Sequence, residues 1–177
     1  MKVIYLLLAL AFVQTANAQD FCKLIKKEVS DDKLTFDFSS PYDPSEVPAV
    51  RVARSYITNP DFPSDNFYLI FQMNGELESI YAKTATGEQV EKEEKTVIVE
   101  FEDKTKIVDD SIKIDHDRTV DKLDAIRYVY FPITEERLKD FTTKKIAKFS
   151  LAGYSQIVPA DSANAVMHYV QCMKAVK

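Results

Sequence analysis

Glycine, tryptophan, histidine and cysteine are all scarce in this chain of 177 residues, which has 3 glycines, no tryptophan, 2 histidines and 2 cysteines. Three scattered glycines exclude a glycine-rich phosphate loop and a G-x-S-x-G nucleophile elbow. A zinc site usually takes two or three histidine or cysteine ligands, which this sequence can hardly assemble. The chain therefore has no signature of a common enzyme class, and no cofactor is expected.

Long hydrophobic runs are absent after the N-terminus. The apolar run from Val3 to Val13 follows a lysine and precedes a polar segment that ends in Ala16-Asn17-Ala18, which is the layout of a secretory signal peptide. The run is much shorter than the roughly 20 residues that a membrane-spanning helix needs. We therefore predict a signal peptide over residues 1–18 and a single exported domain over 19–177, without a membrane span, in a periplasm or outside the cell.

The two cysteines stand near the two ends of this mature chain, at Cys22 and Cys172. An oxidising compartment favours a disulfide between them. In the chain-entropy model, such a bridge stabilises the fold by up to about 5 kcal/mol because the closed loop is long. The alternative is a reactive thiol or a metal ligand, with His168 one helical turn before Cys172.

Apolar patterns predict mainly strands. Residues 34–38 alternate apolar and polar side chains, and they form a predicted hairpin with 24–29. The run 67–73 is apolar on both faces and predicts a central strand. It follows a Pro/Asp-rich loop over 59–66, and Asn74-Gly75 predicts a hairpin turn directly after it.

Two helices complete the predicted fold. Thr134 is expected to cap a short helix over 135–141. A C-terminal helix that begins near Asp161 places one apolar face on the sheet. That face consists of Val166, Tyr169, Val170 and Met173. The predicted fold class is α+β, a mainly antiparallel sheet of about eight to ten strands with the C-terminal helix packed on it.

The segment "IDHDR", residues 114–118, is the strongest candidate for chemistry because Asp115, His116 and Asp117 are all ionisable. In a strand, the two aspartates would face one side and the histidine the other. The spacing also lacks the glycine and closing glutamate of a calcium loop. We therefore predict a solvated turn and no metal site, with weak divalent-cation binding by these three residues as the alternative.

Charge is unevenly distributed along the chain. Residues 76–124 carry 8 basic and 15 acidic side chains, whereas residues 125–177 carry 8 basic and 4 acidic ones. The whole chain is negative, with a formal charge of −5. Proteins bind nucleic acids and anionic membranes with basic side chains that neutralise the phosphate groups. Neither is therefore an expected partner of a negatively charged chain.

Two classes of function remain. The first is a binding or protein-interaction module in which the sheet, or an aromatic loop around Tyr42, Phe62 and Phe67, holds a protein, a peptide or a small apolar ligand. The second is a small hydrolase or divalent-metal-dependent enzyme that uses the acidic cluster around His116. The sequence favours the binding module, because chance carboxylate pairs are inevitable among 28 acidic residues and no catalytic signature accompanies them.

Overall fold

The computed structural model describes residues 21–31, 33–41, 49–118 and 124–176. The predicted signal peptide, residues 1–18, and Tyr42 both lie outside the described residues. Within those ranges, no helix has the length and apolar character that crossing a bilayer requires.

The described part of the chain folds into antiparallel strands and a few helices, which confirms the predicted α+β class. Its strands are β1 Lys26–Val29, β2 Thr35–Ser39, β3 Ala49–Ile57, β4 Ser64–Glu76, β5 Tyr81–Lys83, β6 Gln89–Glu91, β7 Val97–Phe101, β8 Lys106–Asp109, β9 Asp115–Arg118, β10 Asp124–Pro132, β11 Ile146–Leu151 and β12 Tyr154–Ile157. Its longer helices are α1 Glu135–Thr143 and α2 Ala160–Ala175, and a 3₁₀ helix spans Leu77–Ile80. The described residues form twelve strands, whereas the sequence predicts about eight to ten. The difference arises because three-residue strands such as β5 and β6 are too short to show a periodic pattern.

Two sheets form the body of the molecule. The larger sheet has the strand order β1-β2-β3-β4-β10-β9, and the smaller one has the order β12-β11-β7-β8. β5 and β6 make a separate hairpin that turns at Gly87, where φ is +84°. As predicted, the apolar run 67–73 occupies a central strand, β4, which pairs with β3 and β10.

The core lies between the inner faces of the two sheets. Phe71 on β4 packs against Phe149 on β11 with 4.9 Å between ring centroids. Phe141 of α1 closes one end of the core, because its ring contacts Phe101 and Phe131. Burial of these large apolar side chains is the main source of stability in such a sandwich.

The C-terminal helix packs as predicted. All four residues of its expected apolar face are buried, and α2 contacts β3, β11 and α1. A disulfide joins Cys22 to Cys172 with 5.4 Å between their α-carbons. The predicted bridge is therefore confirmed, and it fastens the start of the described chain to the last turns of α2.

Three local predictions are wrong. Asn74 and Gly75 do not form a turn but continue β4, opposite Ile126 and Ala125 of β10, and the chain turns later through the 3₁₀ helix. Residues 64–66 of the predicted loop also belong to β4, because pairing with β3 outweighs their polar character. Thr134 precedes α1 but makes no side-chain capping hydrogen bond.

Candidate functional sites

Most of the segment 114–118 is a strand, β9 (Asp115–Arg118), rather than the predicted turn, and Ile114 forms a single β-bridge with Glu94. β9 is the edge strand of the larger sheet and pairs with β10, which places Asp115 opposite Tyr128 and His116 opposite Arg127. Side chains alternate along a strand, so the two aspartates face outward and His116 faces inward. The three candidate ligands therefore do not converge on one point.

His116 is instead held between two glutamates that the sequence analysis had not singled out. Its Nδ1 lies 2.8 Å from Oε1 of Glu91, and its Nε2 lies 2.8 Å from Oε2 of Glu94. Each ring nitrogen is within hydrogen-bond distance of a carboxylate oxygen, and which of the two donates depends on the tautomer of the ring. The side chain of His116 is only 2% exposed.

Arg127 completes this cluster from β10 and is fully buried. Its Nε donates to Oε2 of Glu94 at 2.6 Å, and its Nη2 donates to Oε1 at 3.1 Å and to Oγ of Ser79 at 2.8 Å. The Tyr154 ring lies over the guanidinium, with its centroid 4.2 Å from Cζ.

Gly75 lies beside Nη1 of Arg127, where a Cβ would overlap that atom. Nη1 has no hydrogen-bond partner among the described residues. We call Glu94, His116 and Arg127, together with the exposed Glu91, the buried ion cluster.

Glu94 is the centre of the buried ion cluster. Burial opposes its ionisation, but the hydrogen bonds from Arg127 and His116 outweigh that effect and hold the pKa of Glu94 below its usual range. Glu94 is therefore a carboxylate at neutral pH. It joins the segment between β6 and β7 to both β9 and β10.

The geometry of the buried ion cluster suits a structural role better than a chemical one. Both nitrogens of His116 are already hydrogen-bonded, so neither is open to a substrate proton. The two glutamates bind opposite nitrogens of the ring and do not face a common point. Among the described residues, no three histidine, cysteine, aspartate or glutamate side chains are grouped so that they could hold one metal ion.

The other predicted candidates are spread over the molecule. Phe62 is 77% exposed in the loop before β4. Phe67 lies in β4 on the inner face, with the guanidinium of Arg54 5.5 Å from its ring centroid. His168 stacks on Phe21 and its Nδ1 is 3.1 Å from Oε1 of Gln171, which accounts for the ring as part of the packing around α2.

A group of tyrosines lies on the outer face of the larger sheet, and the sequence analysis had not predicted it. Tyr68 of β4 and Tyr128 of β10 each make an edge-to-face contact with Tyr130, with centroid distances of 6.0 and 6.2 Å. On β4, Ile70 lies opposite Tyr130, and Gln72 lies opposite Tyr128. We call these five residues the tyrosine face.

The tyrosine face is on the side of the sheet away from the core, because Phe71 and Val129, which alternate with these residues, point inward and are fully buried. Tyr130 is 50% exposed. No hydrogen bond to a described residue engages the hydroxyls of Tyr128 and Tyr130 or the amide of Gln72. The sequence "AIRYVYF", residues 125–131, indicates this face, because every second residue of a strand lies on one side and Tyr128 and Tyr130 are two residues apart.

Among the described residues, three surface cavities offer room for a ligand. One of about 200 Å³ lies on the tyrosine face and extends from Arg51 to Asp117. One of about 300 Å³ is lined by Phe36, Phe38 and Tyr56 near Val176. The third, of about 400 Å³, lies between Arg54 and the start of α1. Residues of the buried ion cluster line none of the three.

No protein-family model matches the chain, and neither a curated protein nor a solved structure matches it.

Proposed function

We propose that the chain is an exported binding module that holds a partner protein or peptide on the tyrosine face. The observation that carries the proposal is the group of Tyr68, Tyr128 and Tyr130 on a sheet surface whose opposite side faces the core. Tyrosine is enriched at protein interfaces because it buries a large rigid ring and keeps a hydroxyl for a hydrogen bond.

The composition of the tyrosine face supports this proposal. Its centre is aromatic and aliphatic, and charged side chains are found at its ends, as in the core and rim of a protein interface. The hydroxyls of Tyr128 and Tyr130 supply hydrogen-bonding groups that no described residue uses.

The alternative, a small hydrolase or a metal-dependent enzyme at His116, has less support. Both nitrogens of His116 are engaged by glutamates, and its side chain is shielded from solvent. A general base needs a nitrogen within hydrogen-bond reach of the substrate proton. The buried ion cluster offers none in this arrangement.

Export is part of the proposal. The disulfide between Cys22 and Cys172 is compatible with an oxidising compartment, and the absence of a membrane-spanning helix from the described residues is compatible with a protein released from the membrane. The predicted signal peptide supplies the remaining support.

A comparison of point variants tests the binding proposal. The oxidised mature protein and its Tyr130→Ala, Phe62→Ala and Ile157→Ala variants are used to capture partners from the native envelope or medium. Ile157 is 71% exposed on the smaller sheet and serves as the control. We expect Tyr130→Ala to weaken capture of the wild-type partner by about tenfold or more, as at an interface hot spot, and the other two variants to retain it. Loss with Phe62→Ala and retention with Tyr130→Ala would move the site to the aromatic loop.

A further inference from the structure

One end of the tyrosine face is acidic. Asp115 lies directly opposite Tyr128 across the β9–β10 pair, and Asp117 lies opposite Ile126. Both carboxylates therefore stand on the outer side of the sheet, Asp115 at the level of Tyr128 and Asp117 two residues further along β9. Asp117 and Tyr128 also line the same cavity of about 200 Å³.

The two carboxylates act on Tyr128 electrostatically. Burial raises the pKa of Tyr128, and the charges of Asp115 and Asp117 raise it further. The nearby ammonium group of Lys113 acts in the opposite direction and offsets part of this effect. The surrounding sequence is negative as a whole, since residues 76–124 carry a net charge of −7.

We propose that the partner presents a lysine or arginine side chain, which lies against Tyr128 and pairs with Asp115, beside the charge of Asp117. This inference rests on the proposed function and names the chemistry of the partner at one end of the same face. An aromatic ring attracts a cation through its negative π face, and a nearby carboxylate adds a charge-assisted hydrogen bond.

A cation already occupies part of this acidic end. Nζ of Lys113 lies 3.1 Å from Oδ1 of Asp115, and both side chains are well exposed. Exposed ion pairs of this kind contribute little to stability, so the ammonium group of Lys113 can give way to one from a partner at small cost. The contact shows that Asp115 can accept a cation at this position.

The opposite end of the cavity has the opposite charge, because Arg51 lies there beside Ile70. A bound segment therefore meets an acidic end at β9 and a basic end at β3. This polarity assigns the cationic side chain of the partner to the Tyr128 end. It also gives the bound segment one preferred orientation.

Peptide titrations followed by NMR test the inference. The probes are a short peptide that alternates lysine with threonine and a matched peptide that alternates glutamate with threonine. The proteins are the wild type, Asp115→Asn/Asp117→Asn, and the control Glu28→Gln/Asp37→Asn. The control removes the same charge from a cross-strand pair at the far side of the same sheet. Shifts of the Tyr128 and Tyr130 resonances report binding.

We expect the lysine peptide to shift these resonances in the wild type and in the control, and to bind the Asp115→Asn/Asp117→Asn variant about fivefold more weakly or worse. Equal binding to the two double variants would reduce the effect to the net charge of the protein and overturn the inference. Stronger binding of the glutamate peptide, or no shift with either peptide, would also overturn it. The proposed function fails separately, when Tyr130→Ala leaves capture of the native partner unchanged.

Discussion

Arg127 is the most unusual single residue of the fold, because a fully buried guanidinium is costly unless every charge near it is matched. Glu94 supplies the matching charge, and the Tyr154 ring covers the group from solvent. Gly75 supplies the space, since any side chain at that position would collide with Nη1. The identity of Gly75 is thus explained by a close approach and not by a turn.

Gly75→Ala is expected to destabilise the protein by about 1–3 kcal/mol, the usual cost of forcing extra volume into a packed site. Urea unfolding of the oxidised protein measures the change. In an Arg127→Met background, Nη1 is absent and the same substitution should be neutral or stabilising, because alanine suits a strand interior better than glycine. An equal cost of Gly75→Ala in both backgrounds would contradict this account.

The lowered pKa of Glu94 makes part of the stability dependent on pH. Its pKa is lower in the folded state than in the unfolded state, so its contribution is fully present above the unfolded pKa and is lost as pH falls through the folded pKa. We expect the free energy of unfolding to fall less steeply between about pH 7 and about pH 3 in Glu94→Gln than in the wild type. Denaturant titrations across that range test this expectation. Parallel pH profiles would show that the hydrogen bonds of Glu94 do not set the acid sensitivity.

The burial of single residues could be predicted where the hydrophobic periodicity of the strand and the polarity of the side chain agreed. The prediction failed where the two conflicted. The cysteine pair could be predicted because few alternatives exist for two thiols. Arg127 could have been placed on the buried side from its spacing to Val129 and Phe131, but its charge argued for exposure. Glu91 and Glu94 lie in a charged run, "EKEEK", and nothing local indicates that they hold a histidine 25 and 22 residues further on, respectively.

At the scale of elements, the end of α2 depends on a side chain from the larger sheet. Nη1 of Arg54 donates to the carbonyl oxygens of Met173 at 2.5 Å and Val176 at 2.9 Å. The last carbonyls of a helix lack partners within the helix, and a cation there also suits its negative end. Asp65 holds the other side of the guanidinium through two hydrogen bonds.

Arg54→Leu should therefore loosen the last turn of α2 and cost about 1–2 kcal/mol, because hydrogen bonds from a charged group are lost. Relative to the wild type, amide hydrogen exchange along α2 should be accelerated more near Met173 than near Val166. Asp65→Asn weakens the pair with Arg54 but retains the guanidinium, and as the matched control it should speed exchange at the helix end less than Arg54→Leu does. Uniformly faster exchange over the whole helix would assign Arg54 to global stability and not to the helix end.

Element existence could be predicted better than element boundaries. Apolar alternation identified β2, a continuous apolar run identified β4, and the four buried positions of α2 were all identified. Asn74-Gly75 has the composition of a hairpin turn, but long-range pairing with β10 extends β4 through it. Local turn preference is worth little against a ladder of backbone hydrogen bonds, and the sequence does not show which strand lies alongside.

At the scale of the whole molecule, the disulfide joins a terminus to a helix that the core already holds. The ring of Phe21 stacks on His168 at 5.0 Å and meets Tyr169 edge to face at 5.6 Å. These contacts place the start of the described chain beside α2. The sandwich core itself is built from residues of the two sheets and two helices, and most of them are far from both cysteines in sequence.

Removing the bridge should therefore lower stability without changing the fold. For Cys22→Ser/Cys172→Ser we expect a lower melting temperature and a loss of up to about 5 kcal/mol, since the bridge closes a loop with a sequence separation of 150. Far-UV circular dichroism at room temperature should keep the β-sheet signal, because a core of this size can fold alone. Phe21→Ala in the oxidised protein is the control for local packing, and it should cost less than the double variant. Loss of the sheet signal in the double variant would mean that the bridge is required for the fold and not only for its stability.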